Sequence, residues 1–195
     1  MNSKERVTAV INGQHPDKVP LGFYLVDYDI IEKVIGRKTY VRNNVRSTLG
    51  FANGNREEIV ESYKHDTVEF YRKIDLADII TFKEAAIVPP RDYIPHPYQP
   101  IGEDLWQDSE GRVFKIASIY NDVVCIDDPV LRNHQFSLEE FLSRVENVIP
   151  DPSIFEACDF LIEQLGSERY IAGTGCKLDS MILLGGMERG LMEYA

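Results

Sequence analysis

Residues 59–82 read IVESYKHDTVEFYRKIDLADIITF and hold two patterns in succession. Ile59, Tyr63, Thr67, Phe70 and Ile74 are spaced four, four, three and four. That spacing draws one stripe along a 3.6-residue period and predicts a long helix with one buried face. The run ADIITF, Ala77 to Phe82, follows at once. It is short and apolar, as a strand buried on both faces should be. An earlier apolar run, Val19 to Val26, starts beside Pro20 and predicts another buried strand. Two strands separated by helix describe a βαβ unit and therefore a parallel sheet.

Upstream, Asn2 and Glu5 have the spacing of a helix start in which a cap oxygen and a carboxylate reciprocate. Val7, Val10 and Ile11 share one face, and Gly13 is placed to stop the helix. Ile30 to Ile35 reads as a helix closed by Gly36. Residues 37–55 are polar and rich in Asn and Arg, which predicts a loop.

Downstream, residues 87–130 break the pattern. Pro89, Pro90, Pro95, Pro97 and Pro100 exclude a regular helix there. Leu105–Gln107 and Arg112–Ile116 flank DSEG, a turn suited to a β-hairpin, and Val123–Ile126 predicts a third short strand. Ser137 and Glu140 form a second capping box, and Pro150 ends that segment. Asp151 and Pro152 suit the cap and first residue of another helix, with Ile154, Cys158, Leu161 and Leu165 on its face and Gly166 at its end. Tyr170 to Thr174 predicts a third parallel strand, and a last helix runs from about Leu178. The expected fold class is therefore α/β, with a small antiparallel β insertion (residues 87–130) after the second strand. Periodicity alone leaves open whether the parallel strands begin a barrel or an open doubly wound sheet.

Composition narrows the partners. The chain has 195 residues, is 44% hydrophobic and 27% charged, and carries a net charge of −11. A dispersed acidic surface repels phosphate backbones, so nucleic acid is not an expected partner. No apolar run approaches the ~20 residues of a membrane span, and residues 1–18 are too polar for a signal peptide. Cys125, Cys158 and Cys176 form no CxxC pair. Their odd number and wide spacing fit a reducing compartment, so a cytoplasmic protein is expected.

Three stretches resemble the uroporphyrinogen decarboxylase superfamily. Residues 3–24, SKERVTAVINGQHPDKVPLGFY, resemble its opening helix, the loop before strand one (here Pro16, Asp17, Lys18, Val19, Pro20) and strand one itself. The hairpin around Asp104, Trp106 and Gly111 is similar to its insertion after strand two. Residues 173–194, GTGCKLDSMILLGGMERGLMEY, resemble its third strand and following helix through Gly173, Leu178, Gly185, Gly186, Met187, Glu188, Leu191 and Met192. The resemblance implies the N-terminal part of a (β/α)₈ TIM barrel, residues 1–195 forming a single incomplete domain, since a whole barrel takes ~250 residues.

The chain departs from the decarboxylase pattern at three places. The Arg-rich stretch expected after strand one reads Leu25, Val26, Asp27, Tyr28, Asp29. An anionic pair there would repel a polycarboxylate. The Asp expected after strand two is replaced by Lys83, with Glu84 next to it, and the Tyr expected after strand three is Met181. The resemblance then implies the corrinoid-dependent methyltransferase branch, which moves methyl groups between a corrinoid protein and a thiol or other acceptor. Zinc and a corrinoid are implied for that family. No cofactor is expected on this chain alone, because the family's His-x-Cys pair and later Cys belong to later strands. None of His15, His65, His96 or His134 stands at that spacing from a cysteine.

In such a barrel the active site lies at the C-terminal strand ends. That selects Glu84, Tyr24 and Lys83 as catalytic candidates. Asp27, Tyr28, Cys176, Lys177 and His96 are substrate-binding candidates, and no metal ligand is named. A carboxylate such as Glu84 in a partly dry mouth suits a general base; its plain alternative is a loop acid paired with Lys83. Tyr24 has the alternative of a packed strand residue, and Cys176 that of a small buried side chain. Cys158 reads as core and Cys125 as structural. The Pro-rich insertion suits a lid, or a dimer contact anchored by Trp106, Tyr93 and Tyr98. Two other functions stay open: a truncated half-barrel that binds or dimerises through an open sheet edge, and a cofactor-free decarboxylase acting on a porphyrinogen or smaller acid.

Overall fold

The computed structural model describes residues 1–81, 87–133 and 150–173, with single positions at 137, 139, 142 and 143. The chain is mixed α/β and divides into two units. One is Met1–Pro95 with Pro152–Thr174, and the other contains His96–Asp151.

The first unit begins with helix α1 (Ser3–Ile11). Its capping box forms as the spacing predicts: Glu5 N–H donates to Asn2 Oδ1 at 2.8 Å, and Asn2 N–H donates to Glu5 Oε2 at 2.9 Å. One turn in, Arg6 points inward. Its Nε and Nη2 donate to the two carboxylate oxygens of Asp17 at 2.6 and 3.0 Å, and its Nη1 donates to Asp78 at 2.5 Å. The other Asp78 oxygen accepts the Leu21 N–H at 2.9 Å. One guanidinium thus joins α1, the Pro16–Pro20 loop and the residue that precedes strand β1 (Ile79–Thr81).

Strand β1 pairs in parallel with β6 (Tyr170–Ala172), Ile79 opposite Tyr170. Gly22 adds a parallel bridge to Ile79. Three passes of the chain therefore lie side by side in sequence order. Gly22 is needed there: a Cβ on it would sit 2.9 Å from Ile79 Cβ, closer than real side chains come.

The expected strand over Val19–Val26 is not formed beyond that one bridge. Val19, Leu21 and Tyr24 are exposed rather than buried. Pro20 has no N–H to give a ladder, and the segment lies at the margin of the pairing, so of its apolar run only Val26 packs against the core. Residues 37–55 also differ from expectation. They contain helix α3 (Asn44–Ala52) between α2 (Tyr28–Ile35) and α4 (Arg56–Ile74). The Asn residues that suggested a loop serve the helix start: Asn43 Oδ1 accepts the Arg46 N–H at 3.2 Å. Helix α3 lies on α4 through Gly50, where a Cβ would come within 2.8 Å of Ile59 Cδ1.

Helix α4 buries Ile59, Tyr63, Thr67 and Phe70, the predicted stripe, with Ile74 packed partly against the core. Helix α6 (Glu156–Leu165) packs on it and buries Cys158, Leu161 and Leu165. The turn before α6, Pro152–Phe155, is 3₁₀ rather than the α-helical start that Asp151 and Pro152 suggested. Arg56, buried at the head of α4, gathers this end of the unit. Its Nε donates to Pro89 O at 2.7 Å, its Nη2 to Ser153 O at 3.3 Å, and it pairs with Glu156. Val88 lies in the same core, and Tyr93 Oη donates to Phe51 O at 2.9 Å. Residues 87–95 thus belong with the first unit.

The second unit holds a four-stranded antiparallel sheet in the order β2 (Gln99–Gly102), β3 (Leu105–Gln107), β4 (Val113–Ala117), β5 (Asp122–Asp127), followed by helix α5 (Pro129–Asn133). The DSEG turn closes β3 on β4. The Asp108 carboxylate accepts the N–H groups of Glu110 and Arg112, each at 2.9 Å, and Arg112 Nε at 2.6 Å. Strand β2 was not among the expected strands, and it carries Pro100. At a sheet edge the missing N–H costs nothing. Phe82, Glu140 and the segment from Leu178 onward lie outside the described residues.

Several carboxyls in the first unit titrate below their ordinary range, Asp17, Glu69, Asp78 and Glu156 among them. Arg6 holds Asp17 low, and Lys73 with Arg37 holds Glu69 low. Burial raises Asp78 and Glu156, but Ser3, Leu21 and Arg6 at the first, and Arg91 and Arg56 at the second, more than offset it. Such groups bind fewer protons folded than unfolded, so their contribution is present above the ordinary carboxylate range and lost as pH falls. Thermal unfolding should hold steady from about pH 7 to 5 and drop below about pH 4. Glu156→Gln should flatten that acid limb in calorimetry. In the α4–α6 contact, Leu161→Ala should cost about 3 kcal/mol; Ile162→Ala, on the exposed side, should cost under about 1 kcal/mol in urea unfolding.

Candidate functional site

The parallel register gives the first unit a direction. The N-terminal ends of its strands carry the Arg6–Asp17–Asp78 cluster. The same end holds Lys4 N–H bonded to Glu168 O at 3.1 Å and Arg169 Nη1 bonded to Ala77 O at 3.0 Å. These groups bond each other and hold the chain passes in place. The opposite, C-terminal ends are Thr81, Ala172 and the chain leaving Gly22.

On that last segment the structure places three of the expected site residues. Tyr24 is 74% exposed. Asp27 is exposed and stands at the N-cap of α2 in extended conformation, with no side-chain cap bond. Tyr28, the first residue of α2, is half-buried. It lines a shallow cavity of about 550 Å³ with Asp29, Glu32, Lys33, Gly36, Arg37 and Lys38. The charges there are paired: Lys33 to Asp29 at 3.1 Å, Lys38 to Glu32 at 2.8 Å, and Arg37 to Glu69 at 2.6 Å and to Asp66. The Lys33 bond holds Asp29 below the usual carboxylate range, and Glu32 holds the Lys38 ammonium above its own. A cavity whose charges neutralise one another can seat a polar group but offers no poised acid or base.

Thr81 was not singled out from the sequence. Its hydroxyl is buried at the C-terminal end of β1 and has no hydrogen-bond partner among the described residues. Buried hydroxyls are ordinarily bonded, so this one marks the strand end as a place able to receive a polar atom. The signal was there in ADIITF, one hydroxyl inside an otherwise apolar strand end.

Lys83, Glu84, Cys176 and Lys177 lie outside the described residues. His96 is exposed and belongs to the second unit. The structure therefore brings together Tyr24, Asp27 and Tyr28 along one segment and gives no geometry for the strand-two and strand-three candidates. Among the described residues no three His, Cys, Asp or Glu side chains converge as a metal-holding group. No described helix is long and apolar enough to cross a membrane.

Cys158 and Cys125 are both free thiols, one buried and one exposed. Burial pushes the Cys158 thiol up to about 11, consistent with a core side chain. Comparison with known proteins finds no matching family model, no matching curated protein and no matching solved structure.

At pH 8 iodoacetamide should label Cys125 in the folded protein and reach Cys158 only on unfolding. Peptide mapping by mass spectrometry reads both sites, and early labelling of Cys158 would contradict the packing of α6 on α4.

Proposed function

We propose that the chain forms the first part of a (β/α)₈ barrel of the uroporphyrinogen decarboxylase-like kind and works in corrinoid-dependent methyl transfer. The sequence resemblance carries the reading, and one structural observation is consistent with it. Three successive chain passes stand parallel and adjacent at Gly22, Ile79 and Tyr170, in the order a barrel front requires. A second supports it: the loop quoted for the resemblance, Pro16–Pro20, has a physical task here. Its Asp17 receives Arg6 from the preceding helix and so seats that helix beneath the strands. An open doubly wound sheet also allows adjacent sequential strands, so it is the sequence resemblance that favours the barrel.

On this proposal the reacting face is the C-terminal strand end. Tyr24, Lys83 and Glu84 would surround the acceptor, with Asp27 and Tyr28 as binding residues. The exposed Asp27 favours a cationic or neutral acceptor over a polycarboxylate, Asp29 being paired with Lys33. The described residues do not assemble a zinc site. The methyl donor would be a corrinoid protein. The two free thiols suit a reducing, cytoplasmic setting.

The test supplies the full chain with a methylated corrinoid protein, zinc and a panel of thiol acceptors. Time-dependent demethylation of the corrinoid, followed by its absorbance change, is expected, and Tyr24→Phe should slow it by about tenfold or more. No transfer to any acceptor would overturn the proposal. A second reading, association without catalysis, is favoured by the exposure of Val19, Leu21 and Leu25 along the Gly22 segment. A stable monomer on size-exclusion chromatography would overturn that one.

A further inference from the structure

Two Asn–Gly pairs stand in the sequence, Asn12–Gly13 and Asn53–Gly54. Such a pair can react with itself. Glycine has no Cβ to keep its amide nitrogen away from the side-chain carbonyl carbon of the asparagine before it. The structure puts both pairs in the same local setting. Asn12 closes α1 and Asn53 closes α3, each exposed, with ψ of 10° and 5°. Gly13 and Gly54 follow in the left-handed region, at φ 70° and 84°. Gly13 N–H donates to Val10 O at 3.0 Å, and Gln14 N–H to Ala9 O at 2.8 Å. Gly54 N–H donates to Phe51 O at 3.0 Å, and Asn55 N–H to Gly50 O at 2.9 Å. Both are the same helix-closing motif. In each, the glycine nitrogen is held off its target. Attack requires the asparagine ψ to rotate far from these values and the glycine N–H to leave its carbonyl.

The two caps differ in what that opening costs. Helix α4 begins at Arg56, just past Gly54, and Arg56 is buried. Phe51 O also accepts Tyr93 Oη at 2.9 Å, and Pro95 Cγ lies 3.3 Å from where a Gly54 Cβ would stand. Opening the α3 cap therefore disturbs α3, α4 and residues 87–95 together. Past Asn12 the chain runs exposed through Gly13, Gln14 and His15 before Asp17 receives Arg6. Val10 and Ile11 are exposed as well, and among the described residues nothing lies within 4 Å of a Gly13 Cβ. Opening the α1 cap gives up main-chain bonds to water and little packing, which is the low-cost kind of local unfolding.

We propose that Asn12 is a site of spontaneous deamidation in the folded protein and that Asn53 is shielded from it. The Gly13 nitrogen bonds to Asn12 Cγ and gives its proton to solvent, and the side-chain nitrogen leaves as ammonia. The five-membered imide so formed takes up one water at either of its carbonyls and opens to aspartate or to isoaspartate. No oxidant, reductant or second protein takes part. Isoaspartate runs the main chain through the former side chain, which adds one carbon between the Cα of residue 12 and Gly13. It also leaves a carboxylate at the C-terminal end of α1, where the helix dipole opposes negative charge. The Gly13 and Gln14 bonds cannot both keep their lengths across the added atom, so α1 loses its C-terminal tie.

The test holds the full folded chain for days in mildly alkaline buffer beside a sample unfolded in urea. Both are peptide-mapped by mass spectrometry, with isoaspartate told from aspartate by electron-based fragmentation. In the folded chain Asn12 should convert at least about tenfold faster than Asn53; in urea the two rates should agree within about twofold. The deamidated folded chain, isolated by anion exchange, should then unfold at lower urea than Asn12→Asp, which has the charge without the extra atom. Conversion of Asn53 as fast as Asn12 in the folded chain would overturn the proposal, as would an Asn12 that reacts only in urea. Coincident unfolding of the deamidated chain and Asn12→Asp would overturn the loss of the cap.

Discussion

A buried guanidinium needs partners for its donors, and the first unit is arranged around supplying them to Arg6. Its side chain is 7% exposed, and that of its partner Asp78 only 3%. Two charges so far out of water are tolerated only where geometry and further hydrogen bonds compensate their desolvation. Here four bonds answer the five N–H donors of the guanidinium, and both oxygens of Asp78 are used. Arg6 reaches both oxygens of Asp17, one of Asp78 and the Met1 carbonyl. Asp78 uses its second oxygen for the Leu21 N–H. Because Leu21 is next to Gly22, the same carboxylate sets the height at which the first chain pass meets Ile79. Because Asp78 precedes β1, it also sets where the parallel pairing with β6 begins. Its carbonyl accepts the Tyr170 N–H at 2.9 Å.

This arrangement assigns different work to the two ends of the parallel strands. The N-terminal ends are dense in charge, and those charges are answered within the chain. The C-terminal ends carry Tyr24 and Asp27 on an exposed segment and a Thr81 hydroxyl with no described partner. A fold that ties one end firmly leaves the other free to vary in loop sequence, the usual division between stability and chemistry in parallel α/β proteins. The proposed methyl-transfer role depends on that second end.

Much of the scaffold was legible because local physics and tertiary packing agree. The Asn2–Glu5 box, the α4 stripe, the DSEG hairpin and the buried face of α6 each follow from a periodicity or a cap. The misreadings share a cause: composition was taken for burial. Val19–Val26 is as apolar as a buried strand, yet Pro20 and the close approach of Gly22 to Ile79 limit it to one bridge. Asn43 and Asn44 look like loop residues, yet one caps α3 and the other opens it. Arg6 and Asp78 were hidden for the opposite reason, since a single charge inside an apolar helix face or strand run gives no sign of its partner dozens of residues away. Of the site, the sequence resemblance selected Tyr24, Asp27 and Tyr28, and the structure sets them on one segment. Thr81 could be found only from its unanswered hydroxyl.

The account rests on Arg6 and Asp78 acting as one unit, and a double-mutant cycle measures that directly. Arg6→Gln, Asp78→Asn and the double variant would be compared by urea unfolding at pH 7, with the exposed pair Lys33 and Asp29 as reference. The account predicts a large coupling between Arg6 and Asp78, the double variant being less destabilised than the two single losses summed, and a coupling near zero for the surface pair. Strict additivity of the Arg6 and Asp78 variants would contradict it, because the two groups would then contribute independently and the alignment of α1, Leu21 and β1 would need another cause.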